Sequence, residues 1–136
     1  MKRLAKKYIA IASLSGGMFV ALSAFAAHGL KGGLPEQMLV IFHTAAQYQI
    51  YHSLALLITA VLSLYFSDNK LLTWGARFFV AGIVVFSGSL YTLALTGISW
   101  LGAITPIGGV CLILGWLMLA VFALKLPEIQ QECSIK

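Results

Sequence analysis

The chain has 136 residues, 60% hydrophobic and 10% charged, with nine Lys and Arg against four Asp and Glu. That length fits one domain, and so few charged side chains cannot cover a soluble domain of this size, so the composition excludes one and fits the bilayer as solvent. The formal charge of +5 does not imply nucleic-acid binding, because Lys2, Arg3, Lys6 and Lys7 precede the first apolar stretch and no basic run interleaved with aromatics follows.

From Tyr8 to Leu30 there is no Asp, Glu, Lys or Arg. About 20 apolar residues, each rising ~1.5 Å, cross the hydrocarbon core. The run therefore predicts a first span near residues 8–28. Ser13, Gly17 and Ala21 recur every four residues, a small-residue face suited to close helix contact. A cleaved signal is the alternative here, with a basic start, an apolar stretch and Ala24-Phe25-Ala26 as the cleavage pattern. The length of the stretch and the spacing of its small residues favour a retained span.

The next uncharged run, Gln37 to Ser67, exceeds one straight crossing and contains no Gly or Pro. One long tilted helix is compatible with it, and so is an interfacial helix over 35–44 feeding a span over 45–66. Pro35 followed by Glu36 marks a helix start, with an acid near the positive dipole end. The run from Phe78 to Leu124 would extend roughly 70 Å as one helix, about twice the membrane. It must turn within itself, and the stretch from Gly97 to Pro106 supplies the break, with Thr105 as N-cap and Pro106 at the first helical position. Third and fourth spans follow near 75–96 and 106–124. Period-two alternation, the mark of a membrane barrel, is missing. The expected fold is all-α, an integral membrane four-helix bundle forming a single domain over 1–136.

With the N-terminus cytoplasmic, four crossings return the C-terminus to the cytoplasm. Lys2, Arg3, Lys6, Lys7, Lys70, Arg77, Lys125 and Lys136 then share one side, and Lys31 stands alone on the other. This predicts an inner-membrane protein with both termini cytoplasmic. Tyr8, Tyr65 and Trp74 are expected at the inner interface and Tyr48, Tyr51 and Trp100 at the outer one, whereas Trp116 sits mid-span. Cys111 and Cys133 lie too far apart for a disulfide.

The polar residues toward the outer face are the one constellation that could carry chemistry. His28 ends the first span, His43 precedes the second, and Gln47, Tyr48, Gln49, Tyr51 and His52 crowd its outer end. His52 continues toward Thr59 and Ser63 on one face, while Ser89, Thr92 and Thr96 share a face of the third span beside Ser87 and Tyr91. Polar groups in a bilayer need partners, so these faces should meet. The candidate site is the outer-side cluster of His28, Gln49, Tyr51, His52, Ser87, Ser89 and Tyr91.

All four acids, Glu36, Asp68, Glu128 and Glu132, lie outside the spans, which argues against proton-coupled transport through an intramembrane carboxylate. Neither a Ser–Lys dyad, nor paired Asp, nor a zinc motif suggests an enzyme, and no metal or other cofactor is assigned. The leading reading is a non-enzymatic oligomeric or accessory membrane subunit, in a homo-oligomer or a larger complex. Permeation of a small solute or ion along the Ser, Thr, Gln and His faces is the alternative, and a haem- or quinone-linked redox component is a third.

Four stretches carry a family resemblance: Ala27-His28-Gly29-Leu30, Thr44 through Leu57, Phe86 through Tyr91 with Leu95-Thr96-Gly97, and Leu101 through Gly109 with Gly115-Trp116. On these the chain resembles the YgdD-like family of small bacterial inner-membrane proteins, a domain of unknown function with a small eukaryotic transmembrane relative. The family pattern Gly-Ala-Phe-Gly-Ala-His is replaced here by Ser23-Ala24-Phe25-Ala26-Ala27-His28, which keeps small residues at both changed positions. The resemblance implies four spans with the first retained, and no established activity.

Overall fold

The computed structural model describes residues 2–66 and 68–126, with side chains from Ala5 onward. Its regular structure is helical throughout, and four stretches are long and apolar enough to cross a membrane: Ala5–Leu30, Glu36–Tyr65, Lys70–Thr96 and Ser99–Leu124. Cys133, Lys136, Glu128 and Glu132 lie outside the described residues.

The first span is α1 (Lys2–Phe25), which runs into a π-helical turn over Ala26–Leu30. The second, α2 (Glu36–Tyr65), is continuous. No breaker interrupts it, so residues 36–44 extend the axis of the span rather than folding away from it. Pro35 precedes the helix and Glu36 opens it, its carboxylate beside the positive dipole end.

The third span is built from α3 (Lys70–Gly82), a π-helical turn over Ile83–Ser87, and α4 (Gly88–Thr96). Asn69 caps it, its side chain accepting from the backbone N–H of Leu71 at 2.9 Å and of Leu72 at 3.3 Å. Gly97 ends it in the left-handed conformation (φ 71°), and its N–H donates to the Leu93 carbonyl at 2.8 Å. A short 3₁₀ turn (Ser99–Ala103) leads into α5 (Thr105–Leu124), the body of the fourth span.

Thr105 is not the cap that the sequence suggests. It is the first helical residue, Ile104 precedes it, and no side-chain cap bond forms. Its hydroxyl turns to Ser89 Oγ, 2.9 Å away across the interface with the third span. A buried hydroxyl partner outweighs a backbone N–H that the next turn leaves near the membrane surface.

Successive spans are antiparallel and pack in chain order: the first along α2, α2 along the third, and the third along α5. Among the described residues no comparable contact joins the first span to the fourth. Tyr8 and Ala12, Ala55, Leu56 and Ala60, Ala76 and Phe79, Ile83, and Leu112 form the main core, to which every span contributes. A second cluster, Ala26, Leu30, Phe42 and Ala94, closes the end where the first and third spans finish.

One expectation is located here and another is corrected. Ser13, Gly17 and Ala21 face outward, and a Cβ added at Gly17 would meet nothing within 4 Å. The inward face of α1 is instead Ala5, Tyr8, Ala12 and Ser15. Ser15 hydrogen-bonds with α2, and a polar bond shielded from water fixes the rotation of a helix more firmly than small size does. Tyr8, expected in the interfacial belt, is only 7% exposed and packs into the core.

Candidate functional site

The buried polar groups of the spans form two separate arrangements. The first centres on Gln49 of α2, which is fully buried about 20 Å along the helix from Glu36 at ~1.5 Å per residue. Its Nε2 donates to the Ser15 carbonyl of α1 at 2.8 Å, and its Oε1 accepts from the Tyr91 hydroxyl of α4 at 2.7 Å. The Ser53 hydroxyl donates to the Gln49 carbonyl at 2.6 Å, and Ser53 Oγ lies 2.7 Å from Ser15 Oγ. A hydroxyl has one proton and a carbonyl can only accept, so the Ser15 hydroxyl is the donor in that last pair. Gln49, Ser15, Ser53 and Tyr91 thereby bind three spans together in a closed set of bonds. Phe42 adds an aromatic edge contact to Tyr91 at 4.7 Å between ring centroids.

The second arrangement surrounds His52, one turn further along α2. Its Nδ1 lies 2.7 Å from the Tyr48 carbonyl, which requires a proton on Nδ1. The imidazole stacks on Tyr48 at 5.7 Å, lies 6.0 Å from Phe79, and meets Trp116 edge-on at 6.3 Å. Tyr48 in turn stacks on Phe86 at 4.3 Å, and Phe79 meets Trp116 at 5.5 Å. This explains the mid-span Trp116, which packs edge-on against His52 and Phe79 and is not a belt residue. Glycines allow the close approach: a Cβ at Gly115 would lie 2.7 Å from the Phe79 ring, and one at Gly108 would collide with the Phe86 backbone.

The remaining residues of the expected cluster divide. Ser89 donates to the Phe86 carbonyl at 3.0 Å and meets Thr105, joining the third and fourth spans. Ser87, in the π-helical turn, is buried with its hydroxyl unpartnered among the described residues. His28 is exposed in the π-helical turn that ends the first span, and Tyr51 is 58% exposed on the outer side of α2. Neither joins the network around Gln49.

The hydroxyl faces of the second and third spans do not meet. Thr59 donates to the Ala55 carbonyl at 2.7 Å, Thr92 to Gly88 at 2.8 Å and Thr96 to Thr92 at 2.6 Å, each on its own helix. Sequence reasoning missed Ser15, Ser53 and Trp116. Gln49 carried the signal for the first two, because a buried carboxamide in hydrocarbon requires partners on the helix beside it. Among the described residues no group of three His, Cys, Asp or Glu could hold a metal ion, and Cys111 is a free, half-buried thiol.

The comparisons place this fold among membrane proteins. The family model described as "Protein of unknown function (DUF423)" matches residues 22–109. The UPF0382 membrane protein YwdK of Bacillus subtilis is 45% identical over 120 residues, covering 88% of this chain and 98% of its own length. A UPF0382 membrane protein of Staphylococcus aureus is 47% identical over 88% of this chain and 97% of its own. One of Staphylococcus saprophyticus is 46% identical, with 89% and 99% covered. No solved structure gives a significant match.

Proposed function

The chain belongs to the DUF423 family of membrane proteins, and from that premise we propose that it works as a non-enzymatic subunit that associates with other membrane helices, in a homo-oligomer or a larger complex. One observation carries this reading. The first span is packed along α2 on one side, and its Ser13, Gly17 and Ala21 face is turned outward, away from the rest of the chain. A small-residue face lets a second helix approach closely enough for extensive van der Waals contact, which drives association where lipid removes the hydrophobic effect. The pairing of Gln49, Ser53 and Tyr91 with one another supports structural use of the polar groups rather than a permeation path.

Both termini are assigned to the cytoplasm, since the basic residues collect at one end of the spans and Lys31 alone marks the other. Three of the stretches that resemble YgdD-like inner-membrane proteins lie within the matched residues 22–109. This supports counting those proteins in the same family and assigning this chain to an inner membrane.

The test is Gly17→Leu. The position is open, so the chain should fold unchanged, whereas a leucine there would hold a neighbouring helix away. Native mass spectrometry from gentle detergent should show an oligomer or complex for the parent chain and a monomer for the variant. A monomeric parent, or a variant that assembles as the parent does, overturns the reading.

A further inference from the structure

The first and third spans run in the same direction, each antiparallel to α2, and touch one another only lightly. Their separation leaves a groove of about 260 Å³. Ile11, Leu14 and Met18 form its wall on α1, and Val80, Ile83 and Val84 form the facing wall. Ser15 also borders it, but its hydroxyl is hydrogen-bonded to Ser53, so the lining offers no free polar group. Leu14 is 76% exposed and Val84 66%, which leaves the groove open along one side to the bilayer. From Ile11 to Met18 it runs about 10 Å at ~1.5 Å per residue, within one leaflet of a hydrocarbon core ~30 Å thick.

Both walls begin with a cation. Lys7, Ile11, Leu14 and Met18 stand at i, i+4, i+7 and i+11, one stripe of α1. Arg77 precedes Val80 by three residues and Val84 by seven, in line with the other wall. Helical side chains lean toward the N-terminus of their helix, and both spans start at the basic end. Lys7 and Arg77, both exposed, therefore reach from the mouth of the groove toward that membrane surface. The Arg77 guanidinium lies 4.8 Å above Trp74. Stacking occupies the flat face of a guanidinium and leaves its in-plane N–H donors for an oxygen anion.

The groove must be filled, because a void in hydrocarbon forfeits dispersion contacts. A polar solute gains nothing from these walls. A second copy inserted the same way would bring its own Lys7 and Arg77 to the same level, and like charges would meet. An acyl chain fits the walls, and its headgroup then stands at the level of Lys7, about 6 Å beyond Ile11 at ~1.5 Å per residue. A headgroup ammonium would offset the attraction that the phosphate supplies, so a lipid of net negative charge is preferred. We propose that the groove between the first and third spans binds an acyl chain of an anionic phospholipid, its phosphate held by Lys7 and Arg77. The proposal does not depend on association through the Ser13, Gly17 and Ala21 face.

The test is native mass spectrometry of the full chain in gentle detergent. The probes are 1-palmitoyl-2-oleoyl-phosphatidylglycerol and the phosphatidylethanolamine with the same chains. The parent should hold phosphatidylglycerol roughly tenfold more tightly, as two cations at a membrane surface require. Lys7→Gln and Arg77→Gln should each weaken phosphatidylglycerol about fivefold, and the double variant should bring the two lipids level. Lys125→Gln removes the same charge at the same end, but from α5, which lines no part of the groove, and should keep the parent's preference. Val84→Phe should fill the groove and weaken both lipids. Equal binding of the two lipids by the parent, or an effect of Lys125→Gln as large as that of Arg77→Gln, overturns the proposal. So does a Val84→Phe chain that binds both lipids as the parent does, and loss of an assembly of copies in that variant would show that a second copy fills the groove instead. Val84 is exposed, so the variant should fold, and the two-lipid comparison on the parent needs no variant at all.

Discussion

Gln49 shows how a single side chain can organise a membrane protein. Its carboxamide donates to the Ser15 carbonyl and accepts from Tyr91, so it ties the second span to both the first and the third. Tyr91→Phe leaves Oε1 of Gln49 without its donor and should lower the unfolding free energy by about 0.5–2 kcal/mol. Gln49→Leu should cost more, because it strands the Tyr91 hydroxyl and frees Ser15 together. The double variant should then cost less than the sum of the singles, since the phenol stranded by one change is removed by the other. Unfolding by SDS in mixed micelles measures all three, and strict additivity would show that the bond is absent. Gln49 and Tyr91 were legible in the sequence as polar groups where none is cheap. Ser15 was not, because a serine in a helix can satisfy itself on its own backbone and so gives no sign of which way it points.

At the scale of elements, the interface between the third and fourth spans rests on missing side chains. Gly108 faces the backbone of Phe86, and an added Cβ would collide with it, so Gly108→Ala must push the two helices apart. Backbone is not free to yield as a side-chain tip is, and the cost should be about 1–3 kcal/mol. Gly109 is the internal control, because a Cβ there would meet the Phe86 ring at 3.8 Å, an ordinary contact. Gly109→Ala should stay within about 0.5 kcal/mol of the parent. Thermal unfolding in detergent separates the two, and equal effects would mean that the helices do not approach at Gly108. The existence of the four spans was legible because uninterrupted apolar runs of this length have no other stable home. The rotation of α1 was not. Small size at Ser13, Gly17 and Ala21 describes a face that can be approached, whereas burial follows where Ser15 finds its hydrogen bonds. The π-helical turns at Ala26–Leu30 and Ile83–Ser87 likewise left no mark in the sequence, since a one-residue insertion into a helix changes neither hydropathy nor composition.

For the molecule as a whole, the decisive property is where its charges are. Four antiparallel spans bring Lys6, Lys7, Lys70, Arg77 and Lys125 to one end and leave Lys31 at the other. Arg77 sits exposed with its guanidinium 4.8 Å above the Trp74 ring, an arrangement that suits the interface, where a cation keeps its water and an indole keeps its apolar contact. Charge asymmetry of this kind biases insertion, because basic loops are retained on the cytoplasmic side. The basic end should therefore face the cytoplasm and the Lys31 loop should face out. In a chain with Cys111→Ala and Cys133→Ser, a cysteine at Gly33 or at Leu126 reports each end in turn, and both positions are exposed. A membrane-impermeant maleimide should label Gly33→Cys in whole cells and Leu126→Cys only after lysis. The opposite pattern would invert the molecule, and labelling of both in intact cells would mean that the four spans do not all cross. Inversion would leave the packing of Gln49 and Gly108 untouched, because helix contacts inside the bilayer are the same whichever way the bundle is inserted, whereas a span that failed to cross would break it.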